Sequence, residues 1–356
     1  MSGTKKILIS GVRYSGKTAV CLALALLFRE EGVNVGYFKP VGWSSKFGGT
    51  DEDALLMKEV LDIKQPIETV SPVVLDAYYL NRLYKGELAD AERRIEDAYQ
   101  ALSRNLDVMF IEGAHAPVAF YSGRLSSFHI ARKFGASVLI VNSFRSDLVL
   151  DDVLAQAEMF RLTGSKVIGA VFNNVPVIIL EKVKGMVREI AEKSGINVWG
   201  VIEEDRRLTS PTVGELCSLL DGEVLEEGNM ERIVEDILIG AMNVEAALNY
   251  FRRGVNKAVI TGGDRTDVAL AALETDTSML ILTGNLYPDV RLLTKAREAG
   301  VTVILVPYDT YTAVQKLGAV GGRIKPGDKK KISLAMDKVK RETNWRGLMR
   351  AIMEEE

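Results

Sequence analysis

Short apolar runs alternate with helix-periodic stretches along the first two thirds of the chain. The runs are Ile7 to Ile9, Val33 to Phe38, Val108 to Ile111, Ser137 to Val141, Val167 to Phe172 and Val198 to Ile202. Strands of this kind, joined by helices, are buried in a parallel sheet with helices on its faces. The helix-favouring stretch Ala19 to Phe28 follows the first run. Further helices are expected over Ala54 to Leu61, Leu88 to Asn105, Leu148 to Thr163 and Ile178 to Lys193, each ending near a Gly, Asn or basic residue. The expectation is a doubly wound, mostly parallel α/β domain. Right-handed crossovers then bring the functional strand ends to one edge.

From Arg206 to about Gly228 the alternation weakens into a Thr-Ser-Pro-Thr stretch, a short helix around Glu215 to Leu220, and an acidic run punctuated by Gly222 and Gly228. This places a domain boundary at 220/221 and divides the chain into domains 1–220 and 221–356. A second, smaller alternation follows with runs at Ala258 to Ile260, Met279 to Leu282 and Val303 to Val306. A last helix is expected over Leu334 to Met353, its charges forming a solvated face. No internal repeat is visible.

Length supports two domains, since 356 residues exceed one ordinary core. With 47% apolar and 26% charged residues the composition is that of a soluble globular protein. A net charge of −3 without a long basic tract argues against nucleic acid as a partner. Cys21 and Cys217 are far apart in sequence and form no zinc or disulfide pattern, which suits a reducing cytoplasm. The first strand begins too early to leave room for a signal peptide, and no apolar run is long enough to span a bilayer. His115 and His129, without Cys or His companions, read as structural rather than metal-binding.

Between the first strand and first helix lies Gly11-Val12-Arg13-Tyr14-Ser15-Gly16-Lys17-Thr18, which meets every fixed position of the phosphate-binding loop G-x-x-x-x-G-K-[ST]. Gly11 and Gly16 permit backbone turns that aim successive N–H groups at phosphate oxygens, beside the positive end of the helix. Lys17 would neutralise β- and γ-phosphate charge, and the Thr18 hydroxyl is a ligand for Mg²⁺. Other residues at strand ends fall near this loop. Lys39 follows the second strand and could meet phosphate or an anionic substrate. Asp51 and Asp53 stand where a helix begins, and capping accounts for both without a metal. Glu112 ends a buried strand beside the loop and is placed to hold Mg²⁺ directly or through water. Asn173 and Asn174 end another strand, where an amide can pair with a nucleobase or simply shape a turn.

Together these segments resemble dethiobiotin synthetase and its relatives. The resemblance rests on the loop, Lys39-Pro40-Val41, the acidic pair Asp51 and Asp53, Glu112-Gly113-Ala114, and Asn173-Asn174. It implies triphosphate contacts from Gly16, Lys17 and Thr18, Mg²⁺ held by Thr18, Asp53 and Glu112, and adenine contact from Asn174. The stretch Val198 to Leu216 is similar to the corresponding N-terminal part of long phosphotransacetylases. Ile260 to Asp267, Leu282 to Asn285 and Val306 to Thr312 are similar to the DRTGG domain of the same proteins. No acetyltransferase domain is expected within the 356 residues, so acetyl transfer is not assigned.

The chain departs from dethiobiotin synthetase in a loop one residue shorter and without its acidic residue. Arg13 stands one position beyond the place of the signature lysine in related ATPases, where it would join the phosphate contacts with Ser15. The segment Ala116 to Tyr121 is more apolar than a diamino-acid substrate requires. In the second domain, Asp264, Arg265, Thr266, Asn285 and Thr310 cap helices or line a polar pocket for a small anionic effector. The resulting expectation is a nucleotide-sensing homodimer that binds Mg·ATP, with GTP open, and hydrolyses it slowly or not at all. Phosphoryl chemistry would rest on Lys17, Lys39 and Asp53. The alternatives are a ligase that activates a small carboxylate or carbamate, and a structural module stabilised by nucleotide.

Overall fold

The computed structural model describes residues 4–44, 49–318 and 323–354. The chain divides into two compact units, Met1–Glu204 with Ile324–Glu356, and Asp205–Arg323.

In the first unit, strands β1 (Lys5–Ser10), β2 (Val35–Phe38), β5 (Val108–Glu112), β6 (Ser137–Ser143), β7 (Val167–Val175) and β8 (Val198–Glu203) form one sheet. A separate parallel pair is made by β3 (Val41–Trp43) and β4 (Val73–Leu75). The main sheet runs β2-β5-β1-β6-β7-β8, and every neighbouring pair is parallel. This is the α/β fold expected from the apolar runs. Register decides what shares an edge: Phe38 lies beside Ile111, Ile9 beside Glu112, and Ser143 beside Asn173. Lys39, the loop after Ser10, Glu112 and Asn173 therefore emerge together.

Helix Lys17–Glu30 is buried over most of its length, Leu22, Leu24, Leu27 and Phe28 included. The sheet covers one side, where the Phe28 and Phe110 rings meet at 5.4 Å. Its other side is covered by the chain's end. Trp345, Leu348 and Ile352 belong to the same apolar core, and Lys340 and Arg346 reach Glu30 and Glu31 at 3.0 and 2.9 Å.

That return corrects the expected division into 1–220 and 221–356. The C-terminal helix packs in the first unit because its apolar face completes the cover over the first helix. At the other boundary, Val213, Leu216 and Leu220 are buried in the core of the second unit. The last helix is also two, Lys329–Glu342 and Trp345–Met353. Between them Thr343 is extended, Asn344 caps the second helix through Gly347 N, and Thr343 bridges to Gly200. The expected helix Ile178 to Lys193 is broken into a tight turn at Val177–Ile179, a wide turn at Val183–Val187 and a regular end at Arg188–Lys193. Gly185 and the β-branched Val183 and Val187 weaken the regular ladder there.

The second unit is a five-stranded sheet in the order β10-β11-β12-β13-β9. Its strands are β9 (Glu223–Glu226), β10 (Asp236–Ile239), β11 (Lys257–Gly262), β12 (Thr277–Thr283) and β13 (Thr302–Leu305). Only β9 is antiparallel, and it lies in the acidic run expected from sequence to form part of the domain boundary. The central strands β11 and β12 separate two apolar layers, one around Phe251 and Leu292, the other around Leu216 and Leu317. Among the described residues no helix is long and apolar enough to cross a membrane.

Candidate functional site

The loop between β1 and the first helix is shaped by two glycines. Gly16 is left-handed, with φ +81, and a Cβ there would strike the Asn173 amide. At Gly11 a Cβ would strike the Val141 carbonyl. Each glycine lets a neighbouring strand approach the loop, and each strand then holds it from behind. Asn142 Oδ1 accepts from Val12 N at 3.2 Å, and Asn173 Nδ2 donates to the Ser15 carbonyl at 2.9 Å. Asn173 thus braces the loop, while Asn174 beside it is left-handed (φ +49) and half-buried. Ser15 is fully buried, and its hydroxyl is without a hydrogen-bond partner among the described residues. Arg13 is exposed and lies over the Tyr14 ring at 4.9 Å.

Lys17 begins the helix and curls back, donating to the Gly11 and Val12 carbonyls at 3.1 and 2.8 Å. Burial lowers its pKa to about 8, against the opposing pull of Glu112. Thr18 Oγ1 donates to Glu112 Oε1 at 2.9 Å, and the Tyr37 hydroxyl donates to the other oxygen of Glu112 at 2.9 Å. Lys39 joins the same carboxylate. Its Nζ lies 3.0 Å from Glu112, 2.7 Å from Asp53 and 3.3 Å from Asp51.

Lys39 and Glu112 are 5% and 1% exposed, so their charges depend on one another. Burial alone would lower the Lys39 pKa, but Asp51, Asp53 and Glu112 together raise it well above the usual lysine value. Burial also pushes Glu112 up from the usual carboxylate range, while Lys39 opposes the shift. Asp51 does two further tasks. It caps helix Glu52–Val60 by accepting from Ala54 N at 2.9 Å, and it accepts from Trp43 N at 2.8 Å. Sequence spacing showed the capping position but not the ion pairs.

The five residues Lys17, Thr18, Lys39, Asp53 and Glu112 therefore meet at one sheet edge. Thr18, Asp53 and Glu112 offer hard oxygen donors of the kind Mg²⁺ takes; Asp53 and Glu112 meet at the Lys39 ammonium, and Thr18 joins them through Glu112. Among the described residues, no group of three His, Cys, Asp or Glu could hold a metal unaided. A small divalent ion that keeps several waters and binds phosphate fits this donor set.

An aromatic wall stands beside the cluster, unannounced by any sequence motif. Trp43 and Phe120 stack at 6.1 Å, the His115 ring lies 5.3 Å from Trp43 and 5.4 Å from Phe120, and Tyr79 meets Phe120 at 5.0 Å. The His115 Nδ1 is buried without a partner among the described residues. Burial first, then the charges of Arg13, Lys17 and Lys39, lower the His115 pKa. The apolar character of Ala116 to Tyr121 hinted at this wall, but its assembly needed Trp43 and Tyr79 from distant segments.

In the second unit the expected pocket residues share the carboxyl edge of the sheet. Thr310 and Thr283 hydroxyls lie 3.0 Å apart, Gly284 N donates to the Tyr308 carbonyl at 2.9 Å, and Asn285 N donates to the Val306 carbonyl at 3.1 Å. Arg265 turns onto Asp267 at 3.1 Å and the Met242 carbonyl at 3.1 Å; Asp264 and Asn285 are exposed, and Thr266 begins a helix.

Comparison with known proteins agrees with both halves of this description. The AAA domain family matches residues 5–212, and the DRTGG domain family matches residues 215–320. The phosphate acetyltransferase of Nitratidesulfovibrio vulgaris is 26% identical over 347 residues, covering 90% of this chain and 48% of its own length. The chain thus spans about half the length of the phosphate acetyltransferases it matches. The ATP-dependent dethiobiotin synthetase BioD of Bacillus cereus is 25% identical over 189 residues, covering 52% of this chain and 78% of its own. A solved nucleotide-binding protein from Archaeoglobus fulgidus in complex with ADP is 16% identical, with a TM-score of 0.32, over 56% of this chain and 82% of its own. The resemblance read from the loop, the strand ends and the second alternation is borne out.

Proposed function

The chain belongs to the AAA domain family and carries a DRTGG domain after it; from that premise we propose that it is a nucleotide sensor, binding Mg·ATP at Gly11 to Thr18 with slow hydrolysis or none. The observation that carries this reading is the meeting of Lys17, Thr18 and Glu112 at the head of a helix whose first turn is opened by Gly16. Backbone N–H groups of the loop and the Lys17 ammonium bind the phosphates. Thr18, Asp53 and Glu112 would hold Mg²⁺, which when bound supplies charge neutralisation at the β- and γ-phosphates. Asn174, half-exposed beside the loop, is the residue offered for the base, with GTP as the competitor of ATP.

Slow turnover follows from how the acidic groups are engaged. Asp53 and Glu112, which could orient a nucleophile, both pair with Lys39. The adjoining wall of Trp43, His115 and Phe120 presents aromatic rings and no carboxylate, a poor surface for a diamine. ADP release is expected near the rate of unassisted P-loop proteins, on the order of 10⁻⁴ to 10⁻² s⁻¹. Leu148, Val177 and Ile178, 71%, 68% and 92% exposed, follow strands at the same edge and support a homodimer. The DRTGG domain is proposed to bind a small anionic effector at the edge bearing Asp264, Arg265, Thr266, Asn285 and Thr310.

Thermal unfolding with Mg·ATP, Mg·GTP and Mg·ADP tests the reading. At a nucleotide concentration near 100 times Kd, the wild type should gain about 2.7 kcal/mol, and Lys17→Ala should gain nothing. An equal gain in Lys17→Ala sinks the proposal. The likeness to dethiobiotin synthetase favours a second reading, ATP-dependent activation of a small carboxylate or carbamate steadied by Lys39. ADP release that rises with such a substrate would favour it over sensing.

A further inference from the structure

We propose that a groove between helices Ala91–Leu102 and Ser127–Phe134 binds a small organic polyanion at a site separate from the phosphate loop. Its cavity of ≈ 400 Å³ falls in the range of small-molecule sites, roughly 300 to 1,000 Å³. The floor is apolar, made by the buried Ile95, Leu125 and Ile130. The rim carries Arg124, Arg132 and Lys133 against a single lining carboxylate, Glu92. None of the phosphate-loop residues lines it.

Two of the three rim cations keep their donors available to a ligand. Lys133 is paired with Glu96 at 3.0 Å, but neither Arg124 nor Arg132 has a side-chain hydrogen bond or ion pair among the described residues. Arg124 is also held in a left-handed backbone conformation, φ +58, which a residue with a Cβ rarely adopts. It caps the turn Tyr121–Gly123 in that conformation, with its N–H on the Tyr121 carbonyl, which fixes where the side chain leaves the backbone. His129 lines the same cavity, with Nδ1 2.7 Å from the Ser126 hydroxyl and its ring against Tyr121 at 4.8 Å. Its pKa is lowered, first by burial and then by Arg124, with Arg132 adding to the shift and Glu92 opposing it. Guanidinium groups without partners over an apolar floor suit a ligand with two or more carboxylate or phosphate groups on a hydrocarbon body.

The chain has two histidines, so the ring signals of ¹³C-histidine-labelled protein separate this groove from the nucleotide site. Citrate and glycerol 3-phosphate would be titrated into wild type and Lys17→Ala, the latter so that phosphate captured by the loop does not count. The expected result is a saturable shift of the His129 signal in both proteins while the His115 signal of Lys17→Ala stays still. A response to citrate alone assigns a carboxylate ligand, and one to glycerol 3-phosphate alone a phosphate ester. Arg132→Gln, and Arg124→Asn, which keeps a residue tolerant of the left-handed backbone, should each weaken binding roughly tenfold. Arg93→Gln, outside the lining, should leave it unchanged. The proposal fails if neither probe moves His129 saturably, if both groove variants respond like wild type, or if sodium chloride at equal ionic strength gives the same shift.

Discussion

Lys17 is buried with its ammonium on two carbonyls of its own loop, and its pKa of about 8 ties nucleotide binding to pH. The folded value lies below the unfolded one, so a charged Lys17 opposes folding below pH 8. That penalty is relieved as pH rises from about 8 towards the unfolded value of about 10.4. Nucleotide needs the charged form. Calorimetry in buffers of different ionisation enthalpy should therefore show proton uptake on ATP binding near pH 8.5 and almost none from Lys17 at pH 6.5. Affinity should fall as pH rises beyond 8; a flat profile with no uptake would remove the low lysine pKa.

Lys39 and Glu112 carry the largest single-residue risk. Lys39→Ala leaves Glu112 buried beside Asp51 without its cation, a loss of about 3 to 5 kcal/mol. Lys39→Met combined with Glu112→Gln should cost less than the sum of the two singles, because Glu112 is then no longer a buried charge facing an absent cation, while Asp51 loses Lys39 in the single and the double alike. Urea unfolding read by tryptophan fluorescence measures this in the first unit, where Trp43, Trp199 and Trp345 all reside. Additive costs would mean that the ion pair does not couple the two residues. Spacing alone revealed that Lys39 and Glu112 stand at strand ends. Their pairing was hidden, because β2 and β5 lie far apart in sequence and meet only through sheet order.

At the scale of elements, local sequence was most informative where a segment satisfies itself. Apolar runs marked the main strands because parallel strands are buried on both faces. The short strands β3, β4, β9 and β10 escaped notice, each being three or four residues long and partly polar or partly exposed. Helix Val213–Leu220 carries a reciprocal cap: Thr212 N donates to Glu215 Oε2 at 2.7 Å, and Glu215 N donates to Thr212 Oγ1 at 3.2 Å. Thr212→Ala should destabilise the second unit by about 1 kcal/mol. Because no tryptophan lies in that unit, the change should move the far-ultraviolet circular dichroism transition and leave the fluorescence transition in place. A shift of fluorescence with it would show the two units unfolding as one.

At the scale of the whole molecule, the chain's end belongs with its beginning. Leu348 is 1% exposed in the apolar core of the first unit, on a helix packed against β1 and β8. Leu348→Ala should cost the first unit about 2 to 5 kcal/mol, read as a lower fluorescence midpoint with weaker retention of nucleotide on heating. A chain ending at Arg323 should lose the fluorescence transition and keep a circular dichroism transition from Asp205–Arg323. A preserved fluorescence midpoint in that shortened chain would contradict the packing. The contact could not be read from residues 334–353 alone, since an amphipathic helix specifies an apolar face and not which surface it covers.

The sequence by itself determined the phosphate loop, the α/β alternation, the placement of Lys39, Glu112 and Asn173 at strand ends, and that of Asp53 at the start of a helix. These are properties of backbone conformation and of hydrophobic period, which neighbouring residues set between them. Only the tertiary structure decided that Lys39 is surrounded by carboxylates, that Asn173 braces the loop, that Trp43, His115 and Phe120 wall the site, and that the C-terminal helices close the first unit. Each of those depends on which distant strand or helix becomes a neighbour, and that choice is made by burial summed over the whole core.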